Sequence, residues 1–461
     1  MLREMRIKNF KAWRDTRNIR LAPITVFFGA NSAGKTSLLQ FLLMLKQTAE
    51  SPDRRRVLHF GDPHSYVELG SFNDIAFQHA IDRELDFSLS WKLPKPFEDP
   101  TGASSDISGS DVTFRANISA DGRGTPSVNS FEYEVGDTTD AKNVSVEMRQ
   151  SKSVSKRYKM TASNYQLKRA VGRAWELPAP VRFYGFPAEA TIYYQNAAFV
   201  SELTLQFEKQ LRQIYYLGPL RVDPSRTYTW SGEIPEHVGI RGERAVEAVL
   251  AAIDRKIVPK YRSPGVPFPV MISRWLTRLG LLSQFKAREI AKDRKEYEVS
   301  VRTQGSDTNV LLPDVGFGVS QVLPVIVECF YAPANSTVMV EQPELHLHPR
   351  VQSELADLFI EAIQAREDNQ DRNMQFIIES HSEHFLRRIQ RRIAEGAIEP
   401  NQVAIYYCEP GTEGAKLHEL PVDLFGEIHE WPNDFFGDEL ADLAARLDAA
   451  SKKEKLANAE R

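Results

Sequence analysis

The sequence predicts an α/β fold, a phosphate-binding head split by a β-rich lobe and a helical region, and three observations predict it. Ile24-Thr25-Val26-Phe27-Phe28 reads as a buried strand that runs into Gly29-Ala30-Asn31-Ser32-Ala33-Gly34-Lys35-Thr36 and then into an amphipathic helix from Thr36 to Leu45. Two further apolar runs far downstream, Ser336 to Val340 and Gln375 to Ile378, read as strands that deliver polar residues at their ends. Between the P-loop helix and these runs, from Leu85 to about Tyr194, short alternating runs are separated by clusters of Gly, Ser, Asp and Pro, the texture of antiparallel hairpins.

The first of these is a P-loop. A strand feeding a glycine-rich turn that opens a helix aims successive backbone N–H groups and the positive end of the helix dipole at one spot. That spot suits a polyphosphate. Asn31, Ser32, Ala33, Gly34, Lys35, Thr36 and Ser37 are the expected nucleotide-binding residues. Gly29 and Gly34 permit turns that a side chain would obstruct, Lys35 reaches the β- and γ-phosphates, and Thr36 offers its hydroxyl to Mg²⁺.

With 461 residues the chain has room for two or three domains, and its formal charge of −4 is no whole-protein nucleic-acid signature. Its two cysteines, Cys329 and Cys408, form no CxxC pair, so neither a disulfide framework nor a cysteine zinc site is indicated. The opening MLREMRIKNFKAW is charged where a signal peptide needs an apolar core. No apolar run approaches the ~20 residues that span a bilayer. The expectation is a cytoplasmic protein without a membrane partner.

Taken in order, Met5 to Trp13 and Ile19 to Leu21 are expected strands, and Tyr66 to Phe72 a short strand after the turn at Phe60-Gly61-Asp62-Pro63. Within the lobe, Arg149 to Arg173 carries Lys152, Lys156, Arg157, Lys159, Lys168 and Arg169 with no acidic residue between. Such a run tracks a phosphate backbone or, more commonly, solvates a hairpin face. Asn196 to Gln213, Glu243 to Arg255 and Val270 to Leu282 have helical periodicity, with a charged strand around Tyr297 to Val301. The division that follows is 1–85 for the first half of the head, 86–195 for an inserted β lobe, 196–300 for a mainly helical region, 301–410 for the second half of the head and 411–461 for a C-terminal segment.

The second half supplies the partners of the P-loop. Ser336-Thr337-Val338-Met339-Val340 ends in Glu341-Gln342-Pro343-Glu344-Leu345-His346-Leu347-His348-Pro349, and an apolar strand delivering carboxylates is how P-loop enzymes hold Mg²⁺ and its waters. Glu341 is placed near the metal, with Thr36. Asp314-Val315-Gly316-Phe317-Gly318-Val319-Ser320-Gln321 is a glycine-rich turn opening another helix, a second anion-binding device. Gln375-Phe376-Ile377-Ile378-Glu379-Ser380-His381-Ser382 is a strand that delivers a histidine.

With GANSAGKTS, DVGFGVSQVLP, VEQPELHLHP and IESHSEHFLRR in this order, the sequence resembles the ABC-type ATPase heads of the RecF, Rad50 and SMC group, and most of all the compact AAA-family ATPases related to the overcoming-lysogenization-defect (OLD) proteins. LGPLR at 217–221, GIRGE at 239–243 and WPNDFFGDEL at 431–440 look like a subfamily with a C-terminal domain of unknown function. The resemblance covers most of the chain; the β lobe adds little to it. It implies a P-loop NTPase of ABC/SMC-head type that binds ATP and Mg²⁺ and assembles head to tail. The signature residues Gly316, Gly318, Ser320 and Gln321 would close in trans over the nucleotide of a partner copy, and His381 would sense the γ-phosphate. A glutamine near the metal is usual in the family after the P-loop helix; Leu69 to Asp74 has none, and Asn73 is the nearest substitute.

One departure bears on catalysis. The acidic pair of the familiar pattern has Gln342 as its second member here, and a glutamine orients water without accepting its proton. Either Glu344 supplies the carboxylate, redirected by Pro343, or nucleotide acts chiefly as a clamp. The expected catalytic residues are Glu344, Gln342 and His381.

Other readings compete. His346 and His348 with Glu341, Glu344, His381 and His384 resemble a metallohydrolase cluster, but no open three-ligand spacing such as HExxH is present. An OLD-type nuclease needs a Toprim domain, and residues 385–461 are too few for one, so a nuclease or toxin activity is expected on a separate effector polypeptide. Arg387, Arg388, Arg391 and Arg392 form a basic helix face, and Trp431 with Phe435 and Phe436 are aromatics expected to pack on the head. The functional expectation is a Mg²⁺-dependent, self-assembling ATPase switch that regulates an effector in anti-phage defence. The alternative is an ATP-gated DNA clamp or scaffold in repair or recombination, with little turnover.

Overall fold

The computed structural model describes residues 1–80, 82–98, 107–137, 143–151, 157–172, 176–260, 265–291, 294–367, 369–432, 435, 446–447 and 449–450. Two sheets organise it. The head sheet runs in the order Ile214–Leu217, Thr337–Glu341, Gln375–Glu379, Ile24–Gly29, Val403–Glu409 and Lys416–Glu419. The first five strands are parallel and the last pairs antiparallel at the edge. Parallel strands need crossovers, and the crossovers cover both faces, which is why these strands read as unbroken apolar runs.

Alternation assigns each face. Ile24, Val26 and Phe28 join Val338, Val340, Phe376 and Ile378 in one core, under the helices Ala245–Asp254, Phe268–Arg278, Phe317–Tyr331, Pro349–Gln364 and Glu383–Ala394. Phe27, Met339, Ile377 and Tyr406 face the other core, which holds the P-loop helix Lys35–Glu50 and the lobe. The P-loop strand thus sits between two independent apolar layers.

The lobe sheet is antiparallel, in the order Trp13–Asp15, Leu2–Phe10, Leu85–Glu98, Ser108–Ala120, Pro126–Gly136, Val144–Gln150 and Tyr158–Ser163, with Ile19–Arg20 also paired to Leu2–Phe10. Residues 2–20 therefore share a sheet with 85–163. One face buries an aromatic cluster in which Phe207, from the helix Phe199–Arg212, stacks on Trp91 at 5.2 Å and on Phe114 at 4.4 Å.

Two expectations need correction. Tyr66 to Phe72 is irregular, because Gly70 takes φ 78° and Ser71 and Asp74 form a capping box that starts the short helix Phe72–Ile75. The region 196–300 is not mainly helical: Leu282–Glu289 and Glu296–Thr303 pair as a hairpin, joined by Tyr228–Thr229 and by Val310–Leu311, in a separate four-stranded sheet. Among the described residues no helix is long and apolar enough to cross a membrane.

Candidate nucleotide site

The P-loop leaves its strand at Gly29, where a Cβ would lie 2.3 Å from the carbonyl oxygen of Cys408 on the neighbouring strand. Gly34 caps the helix in the left-handed region, at φ 90°, with no side chain capping the first turn; the Ser37 N–H donates to the Gly34 carbonyl at 3.1 Å, which leaves the N–H groups of Lys35 and Thr36 to face an anion. A Cβ on Gly34 would also crowd Ala12 and the ring of Trp13, whose Nε1 donates to the Gly34 carbonyl at 3.1 Å. The lobe's first hairpin thus props the loop from outside. Asn31 and Ser32 are exposed, Ala33 is buried, and Ser37 is half-buried on the first turn. Lys35 is buried, and its Nζ donates to the carbonyls of Gly29 at 2.9 Å and Ala30 at 2.7 Å, while burial lowers its pKa.

The carboxylate that meets the P-loop is Glu379. Its Oε2 accepts from the Thr36 hydroxyl at 2.9 Å, and it stands in register with Glu341 on the adjacent parallel strand. Glu341 accepts from the Tyr216 hydroxyl at 2.8 Å. Burial, and then the charge of Glu379, push the Glu341 carboxyl up to about 7, and burial also raises Glu379. Sequence reasoning missed Glu379. The signal was present in VMVE and FIIE, two apolar strands that both end in glutamate, but the serine and histidine that follow Glu379 drew the reading past it.

Past Glu341 the chain turns at Gln342, whose φ of 44° is left-handed and whose N–H donates to the Glu379 carbonyl at 2.8 Å. The turn brings Glu344 under the end of the next strand, where its Oε1 accepts from Ser380 Oγ at 2.9 Å and from the His381 N–H at 2.6 Å. Glu344 is 8% exposed, its Oε2 is buried and meets no donor among the described residues, and burial raises its pKa. The His381 residue keeps solvent access, while partial desolvation of its ring, and then the charge of Lys35, lower its pKa.

The signature segment opens the helix Phe317–Tyr331 with Gly316 as its cap. Phe317 is exposed and meets the His346 ring edge-on at 5.1 Å, and Gly318 packs beside Leu347. Ser320 is buried and donates to the Phe317 carbonyl at 2.6 Å, while Gln321 is buried with Nε2 unsatisfied. Asn73 lies exposed in the short helix 72–75, where its carbonyl meets His79 Nδ1 at 3.0 Å.

The competing clusters resolve by contact. His348 caps the helix Pro349–Gln364, its Nδ1 accepting from the Arg350 N–H, and His346 stacks on Phe317. Among the described residues the one group of three side chains close enough to share a metal is Asp423, Glu427 and His429, away from this turn in sequence. Arg388 and Arg392 point inward to Asp357, and Arg387 and Arg391 pair with Glu383 and Glu395 along their own helix. Phe435 packs on Tyr407 at 4.8 Å and on Phe28 at 5.8 Å, as expected of that aromatic segment; Phe436 and most of the tail lie outside the described residues, as do Lys152, Lys156 and Arg173 of the basic run.

Two family models match the chain. One, described as "AAA domain, putative AbiEii toxin, Type IV TA system", matches residues 24–387, and the other, described as "Protein of unknown function (DUF3696)", matches 398–445. Among solved structures the chain is similar to the SMC head domain from Thermotoga maritima, with 11% identity, 92% of this chain and 99% of that chain covered, and a TM-score of 0.39. It is similar at 10% identity to an Smc head bound to the C-winged helix domain of ScpA, with 91% and 98% covered and a TM-score of 0.40. A third similar structure is the Smc head with an extended coiled coil bound to the C-terminal domain of ScpA, derived from Pyrococcus furiosus, at 10% identity, 91% and 96% covered, and a TM-score of 0.38. No curated protein matches the chain.

Proposed function

The chain belongs to the AAA-domain family whose model spans residues 24–387, and from that premise we propose that it is a compact ABC-type ATPase that hydrolyses ATP with Mg²⁺ and uses the cycle as a switch. One observation carries the reading: the P-loop threonine is hydrogen-bonded to Glu379, with Glu341 in register beside it.

The donor set fits a hard divalent cation. Two adjacent carboxyls that burial pushes toward neutrality, beside a hydroxyl, are groups such a cation would draw out as anions. Thr36, Glu379 and Glu341 would hold it, directly or through water. When bound, magnesium neutralises charge on the β- and γ-phosphate oxygens. The N–H groups of Ser32, Gly34, Lys35 and Thr36 orient the phosphates, and the Lys35 ammonium exchanges its two loop carbonyls for phosphate oxygens.

Glu344 is the proposed base. Burial raises its pKa, and its Oε2 is left without a donor among the described residues. Gln342 orients the water that Glu344 deprotonates. Because Oε1 is held by the His381 N–H, a shift of His381 toward the γ-phosphate moves the base with it. The signature residues, Ser320 foremost, act on the nucleotide of a second copy.

The family description names a putative toxin of a type IV toxin–antitoxin system, and the role proposed for the switch is regulation of a separate effector in anti-phage defence. The DNA-clamp reading finds less support. On the solvent face of the lobe Arg6, Lys8, Arg115 and Arg149 each lie within 4 Å of a carboxylate, which leaves no unopposed positive stripe among them.

The test is phosphate release by wild type and Lys35→Ala, with oligomeric state recorded with and without ATP. Turnover that Lys35→Ala abolishes, with ATP-dependent assembly, is the expected result. Assembly without turnover, in a wild type whose Gln342→Glu variant does hydrolyse, would replace the switch with a nucleotide-held clamp.

A further inference from the structure

Arg221, the last residue of LGPLR, is 5% exposed and makes no salt bridge among the described residues. Its guanidinium donates through Nη2 to the Glu341 carbonyl at 3.0 Å and through Nη1 to the Gln342 carbonyl at 3.2 Å, while Nε is buried and unsatisfied. A cation taken out of water is costly. Here its hydrogen bonds go to backbone carbonyls, while the carboxylates of Glu344 and Glu341 act on it through charge without a salt-bridge contact. A purely structural position would be filled more cheaply by an apolar side chain. What the guanidinium offers is a rigid fork, two donors at a fixed spacing that match two successive carbonyls.

Those carbonyls flank the strained point of the site. Gln342 holds a left-handed φ of 44° without being glycine, a conformation that persists only where its surroundings impose it. The Glu379 carbonyl holds its N–H on one side and Arg221 holds the carbonyls on the other. Arg221 is itself anchored, since Gly218 N–H donates to the Ile240 carbonyl and Val222 N–H to the Arg241 carbonyl. That second segment, GIRGE, approaches the signature helix so closely that a Cβ on Gly242 would lie 2.5 Å from Pro324 Cγ. The two segments without a role in the chemistry thus form one mount beneath the turn.

We propose that Arg221 is a positioning residue for hydrolysis: it fixes the backbone of Glu341 and Gln342 in the turn that aims Glu344 at the water. The assignment rests on Glu344 acting as the base. Arg221 bonds the backbone of the turn and no residue of the P-loop among the described residues, so it is expected to set kcat and leave ATP binding alone.

The experiment compares wild type, Arg221→Ala and Arg221→Lys in steady-state ATP hydrolysis, with hydrogen exchange of the peptide spanning 341–349 on the same samples. Misaiming the base is expected to lower kcat about 100-fold in both variants, with KM within about threefold of wild type. Lysine keeps the charge but offers no fork, so it does not rescue. Exchange at Leu345 and Leu347, whose N–H groups donate to the Gln342 and Glu344 carbonyls, is expected to speed up while the strand 337–341 stays protected. A raised KM with unchanged kcat, or wild-type rates in Arg221→Lys, overturns the proposal. Where Arg221→Ala does not fold, Arg221→Lys carries the comparison. A wild type without turnover sinks the hydrolase reading on its own, and the exchange data then decide on Arg221, with unchanged protection counting against it.

Discussion

The two sheets handle charge in opposite ways. The lobe sheet buries aromatics on one face and lays its charges on the other in matched ladders, as where Arg115 reaches both Glu132 and Glu134. The head sheet and its helices bury Glu341, Glu344, Glu379, Glu328 and Arg221 with no salt bridge to any of the five among the described residues. Exposed pairs contribute little one by one, and isolated buried charges cost several kcal/mol each. The lobe is therefore arranged for stability and solubility, and the head gives up stability to keep groups poised for chemistry.

The largest effect expected from breaking this contrast is at the base. Glu344→Gln should lower turnover by roughly 10²–10⁴-fold with nucleotide binding retained, and a variant that hydrolyses like wild type would place the base elsewhere. The raised carboxyl also sets a pH dependence: Glu344 works as its anion, so turnover should fall on acidification through a pKa above the ordinary glutamate value.

In the lobe the comparable loss is in folding. Phe207→Ala removes the ring on which Trp91 and Phe114 stack, and should cost about 3–5 kcal/mol by chemical denaturation. If its kcat per folded molecule fell as well, the separation of roles between the two sheets would be wrong.

Glu328 sharpens the contrast through pH. It lies on the signature helix, 1% exposed, accepting from the Val238 N–H, and burial raises its carboxyl from 4.5 to about 7. The folded state then holds a proton that the unfolded state has released, so the contribution of Glu328 to stability is fullest below 4.5 and declines as pH rises toward 7, by on the order of 3 kcal/mol. Glu328→Gln should flatten that slope and raise the melting temperature at pH 8; an unchanged slope would mean that Glu328 is not the group responsible. The smallest effect belongs to Arg115→Ala, expected to cost under about 1 kcal/mol and less at high salt.

What could be read from the sequence follows from range. The P-loop, the strand ending at Glu341 and the strand delivering His381 are local signals in which motif and periodicity agree. Glu379 went unread because its meaning depends on which strand lies next to the P-loop strand, and pairing order is not a local property. The strand expected at Tyr66 to Phe72 failed at Gly70, where a left-handed residue and a capping box outweighed the alternation. The lobe's union with residues 2–20 and the hairpin at 282–303 are likewise long-range pairings. Gln342 as a departure and Glu344 as its candidate replacement are both legible in the motif, but the left-handed turn at Gln342 that sets Glu344 against Ser380 and the His381 N–H is visible only in three dimensions.

The strand order also sets a timetable for biosynthesis. The lobe sheet is complete once residue 163 has been made, so it can close early around the P-loop helix. The P-loop strand, in contrast, has as its neighbours 375–379 and 403–409. At ordinary ribosomal rates it waits on the order of tens of seconds for either partner. Throughout that interval the nascent chain carries a phosphate loop without Glu379 or His381, and for most of it without Glu341, so an interrupted translation product is catalytically silent and presents an unpaired apolar strand for chaperones or proteases to find.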